Sequence, residues 1–259
     1  MDNIENEVAS ELAKQIPVKE IYGDAKELVK KAELLLPNKA YEWLQTRQLR
    51  SLIGKYNIEA TKKLLLQKLE CIDSALIEPP AYHIAIPATL ALSYSMDSEE
   101  LRSMYANLLA ASMVKTTKQF VHPSFVEIIK QFSPDEAKVF NRLPPKGRHE
   151  PIVDITKEIE GHDGVFTHCS NISVLGFEAE CEFPDNIPQY IDNLCRLGLT
   201  EIPTNSFLID EWRYDKITEH NFFKQSIQSL QQFQIIKKSF GITDFGNSFK
   251  LVCLPDSTE

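Results

Sequence analysis

Five side chains in the C-terminal half carry the donor atoms of a metal site: His162, His168, Cys169, Cys181 and Cys195. A structural zinc site is assembled from short pairs such as C-x2-C or H-x3-H. Here the intervening stretches are five residues, none, eleven and thirteen, so ordinary thiols and imidazoles account for them and no metal is expected. Two carboxylate pairs, Glu99-Glu100 and Asp135-Glu136, have the composition of an acid/base couple. Both fall where a helix should begin, and the macrodipole favours negative charge there, so capping explains them better than catalysis. His122 precedes Pro123 at a further helix start and reads first as a structural group. Asn107 is a polar residue in an apolar helix, and a buried amide must find partners. A bond to nearby backbone is its first reading and a partner-facing role its second. The chain has no GxGxxG, P-loop, HExxH or GxSxG, so no catalytic residue is assigned and no cofactor is expected.

The elements that would position these residues are clearest between Glu78 and Leu143. Asp97 reads as an N-cap with Glu100 at N3, and Met96 and Leu101 take the flanking apolar positions. Leu101, Met104, Tyr105, Leu108 and Leu109 then form one stripe of 3.6-residue period, with Arg102, Ser103 and Asn107 off it. The next helix opens at Pro123 and points Phe125, Ile128, Ile129 and Phe132 inward. Another begins at Ser133-Pro134-Asp135-Glu136 and stops at Pro144-Pro145. Upstream, residues 4–35 read as helical, Lys39 to Leu76 as a basic amphipathic stretch, and Pro87 as the first residue of a buried helix. Solvation of a bundle face explains the basic residues better than a membrane or nucleic acid does, and Tyr41 and Trp43 read as core.

Composition narrows the class. No run of apolar residues is long enough to span a bilayer, and the acidic start lacks the apolar core of a secretory signal. Five cysteines without framework spacing fit a reducing cytoplasm. Residues 1–140 carry 17 basic and 19 acidic side chains, whereas residues 141–259 carry 11 and 18. The second half is therefore a poor match for a nucleic-acid backbone.

Beyond Pro144 the pattern changes. Ile152, Val153 and Ile155 suggest a short strand, and residues 165–182 fit strand and helix equally. Asp185 or Asn186 caps a helix ending at Gly198, which is placed for a left-handed C′ residue with Leu199 folding back on Leu194. A short strand at Leu199–Ile202, a helix at Asp215–Gln232, a strand at Ile235–Ile242 and a helix capped by Thr243 follow. That order predicts a mainly α protein: an N-terminal helical bundle over 1–143, then an α+β winged-helix-like domain over 144–259 with a helix inserted in its wing.

Four segments together resemble the abortive-infection alpha family of bacterial proteins. They are Glu100 to Ala110 (ELRSMYANLLA), His122 to Ala137 (HPSFVEIIKQFSPDEA), Asn193 to Leu199 (NLCRLGL) and Ile242 to Phe249 (ITDFGNSF). The departures are small: Tyr105 where the family often has Trp, and Phe132 and Ile242 where it has Leu. The resemblance covers about residues 78–254 and implies a role in phage defence, but it carries no catalytic residues. On this reading the protein acts through contacts with a host or phage protein, with Arg102, Asn107 and His122 as candidate partner-binding residues and self-association left open. A winged-helix DNA-binding regulator and an enzyme with an unrecognised site are the alternatives.

Overall fold

A computed structural model describes residues 55–92, 95, 98–158 and 164–255. The helices expected within 4–35, Tyr41, Trp43, Met96, Asp97 and His162 lie outside the described residues. The chain divides into two compact units, one running to Gln131 and one starting at Phe132.

The first unit contains α1 (Lys55–Glu70), α2 (Tyr82–Leu92), α3 (Glu99–Met113) and α4 (Ser124–Lys130). All three other helices pack on α3. Every residue from Met104 to Ala110 is buried, so α3 is a core helix enclosed all round rather than a one-stripe helix, and Leu101 at its start is only half-buried. Its cap is Ser98, one residue beyond the expected position. The Ser98 hydroxyl accepts the Leu101 N–H at 3.2 Å and donates to Glu100 Oε2 at 2.9 Å. Tyr105 donates its hydroxyl to the Val126 carbonyl at 3.3 Å, tying α3 to α4. At the other end of α3, a bridge between Ile77 and Val114 pins the chain that follows α1.

Pro87 does not start α2 but lies inside it. Pro79-Pro80 is the effective break, so the helix can begin at Tyr82. The carbonyl that loses its partner to Pro87 belongs to His83, on an exposed residue where water can take the place of the missing N–H.

The second unit overturns the expected fold class. Together with the first it makes an α+β chain, with ten α-helices among the described residues. It holds α5 (Pro134–Arg142), β1 (His149–Glu158), β2 (Val165–Ile172), α6 (Leu175–Glu178), α7 (Ile187–Arg196), β3 (Thr200–Glu201), α8 (Glu211–Thr218), α9 (Asn221–Ile227), β4 (Gln234–Ile242) and α10 (Asp244–Cys253). The strands form one antiparallel sheet in the order β2-β1-β4-β3. β1 runs against β4 from His149↔Gly241 to Thr156↔Gln234, far longer than a short edge segment beside a wing. The short strand or edge segment expected at Ile152, Val153 and Ile155 is thus a strand of full length, which Glu150, Asp154 and Thr156 disguise by interrupting its apolar positions. β2 was equally hidden: an edge strand exposed over its first four residues needs no apolar alternation there. The single helix expected at 215–232 is two, α8 and α9, and His220 Nδ1 accepts the Phe222 N–H at the start of the second. Both pack on the sheet through a core of Val153, Ile155, Ile172, Tyr214, Ile217 and Phe223.

Leu108 is 0% exposed at the centre of α3. Replacing it with alanine should lower stability by about 2–5 kcal/mol, whereas Ser103→Ala should stay within about 0.5 kcal/mol of the parent. Urea midpoints check this, and a Leu108→Ala melt superimposed on the parent's would remove α3 from the centre of the core.

Candidate functional site

The three residues singled out for partner contact all lie in the first unit. Arg102 is half-buried on α3. Asn107 is 4% exposed on the same helix. His122 is exposed, and its Nδ1 accepts the Ser124 N–H at 3.2 Å and sits 2.6 Å from the Ser124 hydroxyl. It thus serves the first turn of α4, and its ring lies 6.0 Å from that of Phe125.

The Asp135-Glu136 pair sits in the second unit, and its geometry is that of a clamp. Asp135 is buried and takes three donors: the Glu182 N–H at 2.8 Å, the Phe183 N–H at 2.9 Å and the Tyr190 hydroxyl at 2.9 Å. Burial raises its pKa, but the Phe183 and Glu182 N–H groups, the Tyr190 hydroxyl and the nearby Lys138 charge outweigh it, so the carboxyl is held below its ordinary value. Burial, then the hydrogen bond to Asp135, pushes the Tyr190 phenol up to about 12. Glu136 closes a capping box on Ser133, with its Oε2 2.6 Å from the Ser133 nitrogen. Its Oε1 accepts the Asn193 amide at 2.7 Å, and the Asn193 carbonyl oxygen accepts from Arg196 at 2.6 Å. The start of α5 is thereby bound to α7.

The end of α7 is bound in turn to α10. Leu199 N–H donates to the Leu194 carbonyl at 3.1 Å and Gly198 N–H to Cys195 at 2.9 Å, with Gly198 at φ +72°. This is a Schellman motif. The Thr243 hydroxyl donates to the Gly198 carbonyl at 2.7 Å and accepts the Gly246 N–H at 2.9 Å. A Cβ on Gly246 would lie 1.8 Å from the Leu199 carbonyl oxygen, so only glycine fits.

Two further constellations were not legible in the sequence, because their members are far apart in it. Lys238 Nζ donates to both Asp154 oxygens at 2.9 Å and to Asn171 Oδ1 at 2.8 Å, and the Asn171 amide donates to Asp192 at 2.7 Å. Asn171 is held at φ +56°, with its own N–H bonded to Asp154 at 2.8 Å. His149 Nδ1 lies 3.1 Å from the Ser239 hydroxyl, itself 2.9 Å from the Ser206 hydroxyl. Hydroxyls in line with an imidazole are the parts of a nucleophile and its base. Ser239, however, is only 1% exposed, and the relay joins β1, β4 and the segment before α8. Beside it Arg213 donates to the His149 carbonyl at 3.0 Å and to Glu150 at 2.6 Å.

The cysteines and His168 are not brought together. The Cys181 thiol points to the Asp135 carbonyl at 3.6 Å, and burial, then the Asp135 charge, raises its pKa to about 11. Cys195 lies 3.5 Å from the Thr200 hydroxyl. Among the described residues no group of three His, Cys, Asp or Glu side chains is arranged to hold a metal ion. What the surface does present is apolar: Phe207 is 61% exposed, Ile209 91% and Trp212 58%.

The Asp135 clamp predicts a pH-dependent contribution to stability. Because the folded carboxyl titrates below its unfolded value, its contribution is fully present above the unfolded pKa of about 3.9 and is lost as pH falls through the folded one. Asp135→Asn should cost about 1–3 kcal/mol near neutrality. The gap from the parent should close in acid, and urea midpoints showing an unchanged gap would overturn the assignment.

No curated protein matches the chain. A solved structure of an uncharacterized protein from the hydrocarbon-degrading marine bacterium Alcanivorax borkumensis SK2 is similar over 53% of this chain and 94% of that one, at 16% identity and a TM-score of 0.34. A likeness that distant carries no argument about either protein. Among the described residues no helix is long and apolar enough to cross a membrane. The model of the family described as abortive infection alpha matches residues 54–253. That span takes in α5, α7 and α10 and every residue that joins them, and the chain belongs to the abortive infection alpha family.

Proposed function

We propose that the protein acts in abortive-infection defence as a non-catalytic component that works through contact with a host or phage protein. Family membership supports the defence role. One contrast supports contact over catalysis. Asp135, Glu136, His149 and Lys238, four polar or charged side chains gathered in the second unit, are engaged in joining its elements. Phe207, Ile209 and Trp212, exposed within six residues of one another, form the kind of clustered apolar surface that marks an interaction site, whereas single exposed apolar residues do not. In the first unit Arg102 and His122 offer polar contacts, while Asn107 acts from inside α3.

Nucleic acid is a poor partner on this reading. Lys237 is paired with Glu211 and Lys238 with Asp154, so cations that would meet phosphates are already matched. The full chain should show no salt-sensitive binding to random duplex in a low-salt anisotropy titration. Micromolar binding that weakens steeply with salt would overturn this.

Expression in a phage-sensitive host should lower plaque numbers or arrest infected cells. Arg102→Glu should remove protection while circular dichroism and melting remain those of the parent. Plaque counts equal to the empty vector across a broad phage panel would refute the defence role, and full protection by Arg102→Glu would remove that residue from the contact.

A further inference from the structure

We infer that the tract from Phe207 to Glu219 docks a basic amphipathic helix of a protein partner. This rests on the contact reading above and supplies the chemistry of the partner.

The apolar side chains of the tract are held outward by the packing around them. Leu208 donates its N–H to the Tyr214 hydroxyl at 2.8 Å, and that hydroxyl donates to the Lys238 carbonyl at 2.9 Å. Leu208 also packs against the core of the sheet. On either side of this anchored residue, Phe207 is 61% and Ile209 91% exposed. The Ser206 hydroxyl, 2.9 Å from that of Ser239, anchors the other flank of Phe207. α8 continues the surface: Tyr214 and Ile217 face the core, while Trp212, Asp215, Lys216 and Glu219 are exposed. Phe207, Ile209 and Trp212 are thus presented from an anchored segment.

The charge around them selects the partner. Asp210, Glu211, Asp215 and Glu219 lie in the tract against Arg213 and Lys216. Arg213 is paired with Glu150 and Glu211 with Lys237, so Asp210, Asp215 and Glu219 supply the acidic border, and Lys216 Nζ lies 5.2 Å from the centre of the Trp212 ring. The tract is therefore apolar with an acidic surround, and its indole already receives one ammonium group. A helix with an apolar stripe bordered by Lys and Arg matches both features. Its stripe covers Phe207, Ile209 and Trp212, and its long cationic side chains lie over apolar surface while their heads reach the carboxylates.

The test uses the full chain and a fluorescent amphipathic peptide of leucine and lysine, about 18 residues or five helical turns long, in about 0.15 M salt. Controls are a leucine/glutamate peptide of the same pattern and a leucine/lysine peptide scrambled so that it has no apolar stripe. The patterned basic peptide should bind at least roughly tenfold more tightly than either control. Ile209→Ser with Trp212→Ala should weaken it by a similar factor, as should Asp215→Lys with Glu219→Lys. Equal binding of patterned and scrambled basic peptides, or binding unchanged in both double variants, would overturn the inference. So would a dimer in sedimentation equilibrium that Ile209→Ser with Trp212→Ala dissociates, since the surface would then take a second copy. Phage plating separates this from the reading beneath it. If Ile209→Ser with Trp212→Ala abolishes protection but the peptides are not discriminated, the basic partner falls and the contact reading stands. If that variant protects fully, the surface has no part in defence and the inference falls with it.

Discussion

The second unit depends on one close approach of backbone to backbone. The Leu199 carbonyl lies where a side chain on Gly246 would be, and it accepts the Thr243 N–H at 3.1 Å. This contact joins the end of α7 to the start of α10 where β3 meets β4 at the Thr200↔Ile242 pair. Gly198 makes it possible by turning the chain through a left-handed residue, and Gly246 by offering no Cβ. Antiparallel pairing then carries the register along β4 to β1, so Lys238 meets Asp154 and Ser239 meets His149 as consequences of where α7 ends. A side chain at position 246 would move all of these together.

α5 is held onto this frame at both ends by buried charge. At its start Asp135 and Glu136 take N–H, hydroxyl and amide donors from the 182–193 region. At its end Lys250 of α10 donates to the Asn141 and Leu143 carbonyls at 2.9 and 2.6 Å. Burial, then the Arg142 charge, lowers the Lys250 pKa. In each case the buried ion is met by hydrogen-bonding groups at a helix terminus, where the macrodipole has the complementary sign. Phe132, Phe140 and Phe249 fill the space between, with ring centres 5.7 to 6.2 Å apart. Removing either carboxylate leaves its donors inside the protein without an acceptor, and that penalty exceeds the net value of a typical hydrogen bond.

What the sequence disclosed was local. The Ser133 capping box, the Gly198 turn and the Thr243 cap are complete within six residues or fewer, and all three stand in the structure. The shift from Asp97 to Ser98 as the cap of α3 is the ordinary ambiguity of two adjacent capping residues. What stayed hidden was long-range. Lys238 and Asp154 are 84 residues apart, and His149 and Ser239 are 90 apart, so no spacing rule connects them. β2 was hidden because its exposed first half, Val165 to His168, shows no alternation of apolar and polar residues. α8 and α9 read as one helix because the break at His220 is made by a side chain capping the second helix rather than by Gly or Pro. The winged-helix order was a reading of sequential elements, and it failed because β1, placed beside β4 by distant pairing, is one of the two inner strands of the sheet.

The segments that carry the family resemblance in the second unit are those of the junction: SPDEA opens α5, NLCRLGL closes α7, and ITDFGNSF opens α10. Their polar residues Asp135, Glu136, Asn193 and Thr243 bond to one another's elements, which suits them to holding the scaffold. The tract from Phe207 to Glu219 lies between NLCRLGL and ITDFGNSF in the chain, outside those segments. It is anchored to the sheet through Ser206, Leu208 and Tyr214, while Phe207, Ile209 and Trp212 are 61%, 91% and 58% exposed. Phe207, Ile209 and Trp212 can therefore change with little cost to the fold, whereas Gly246 cannot. The residues that hold the second unit together are thus separate from those it presents to solvent.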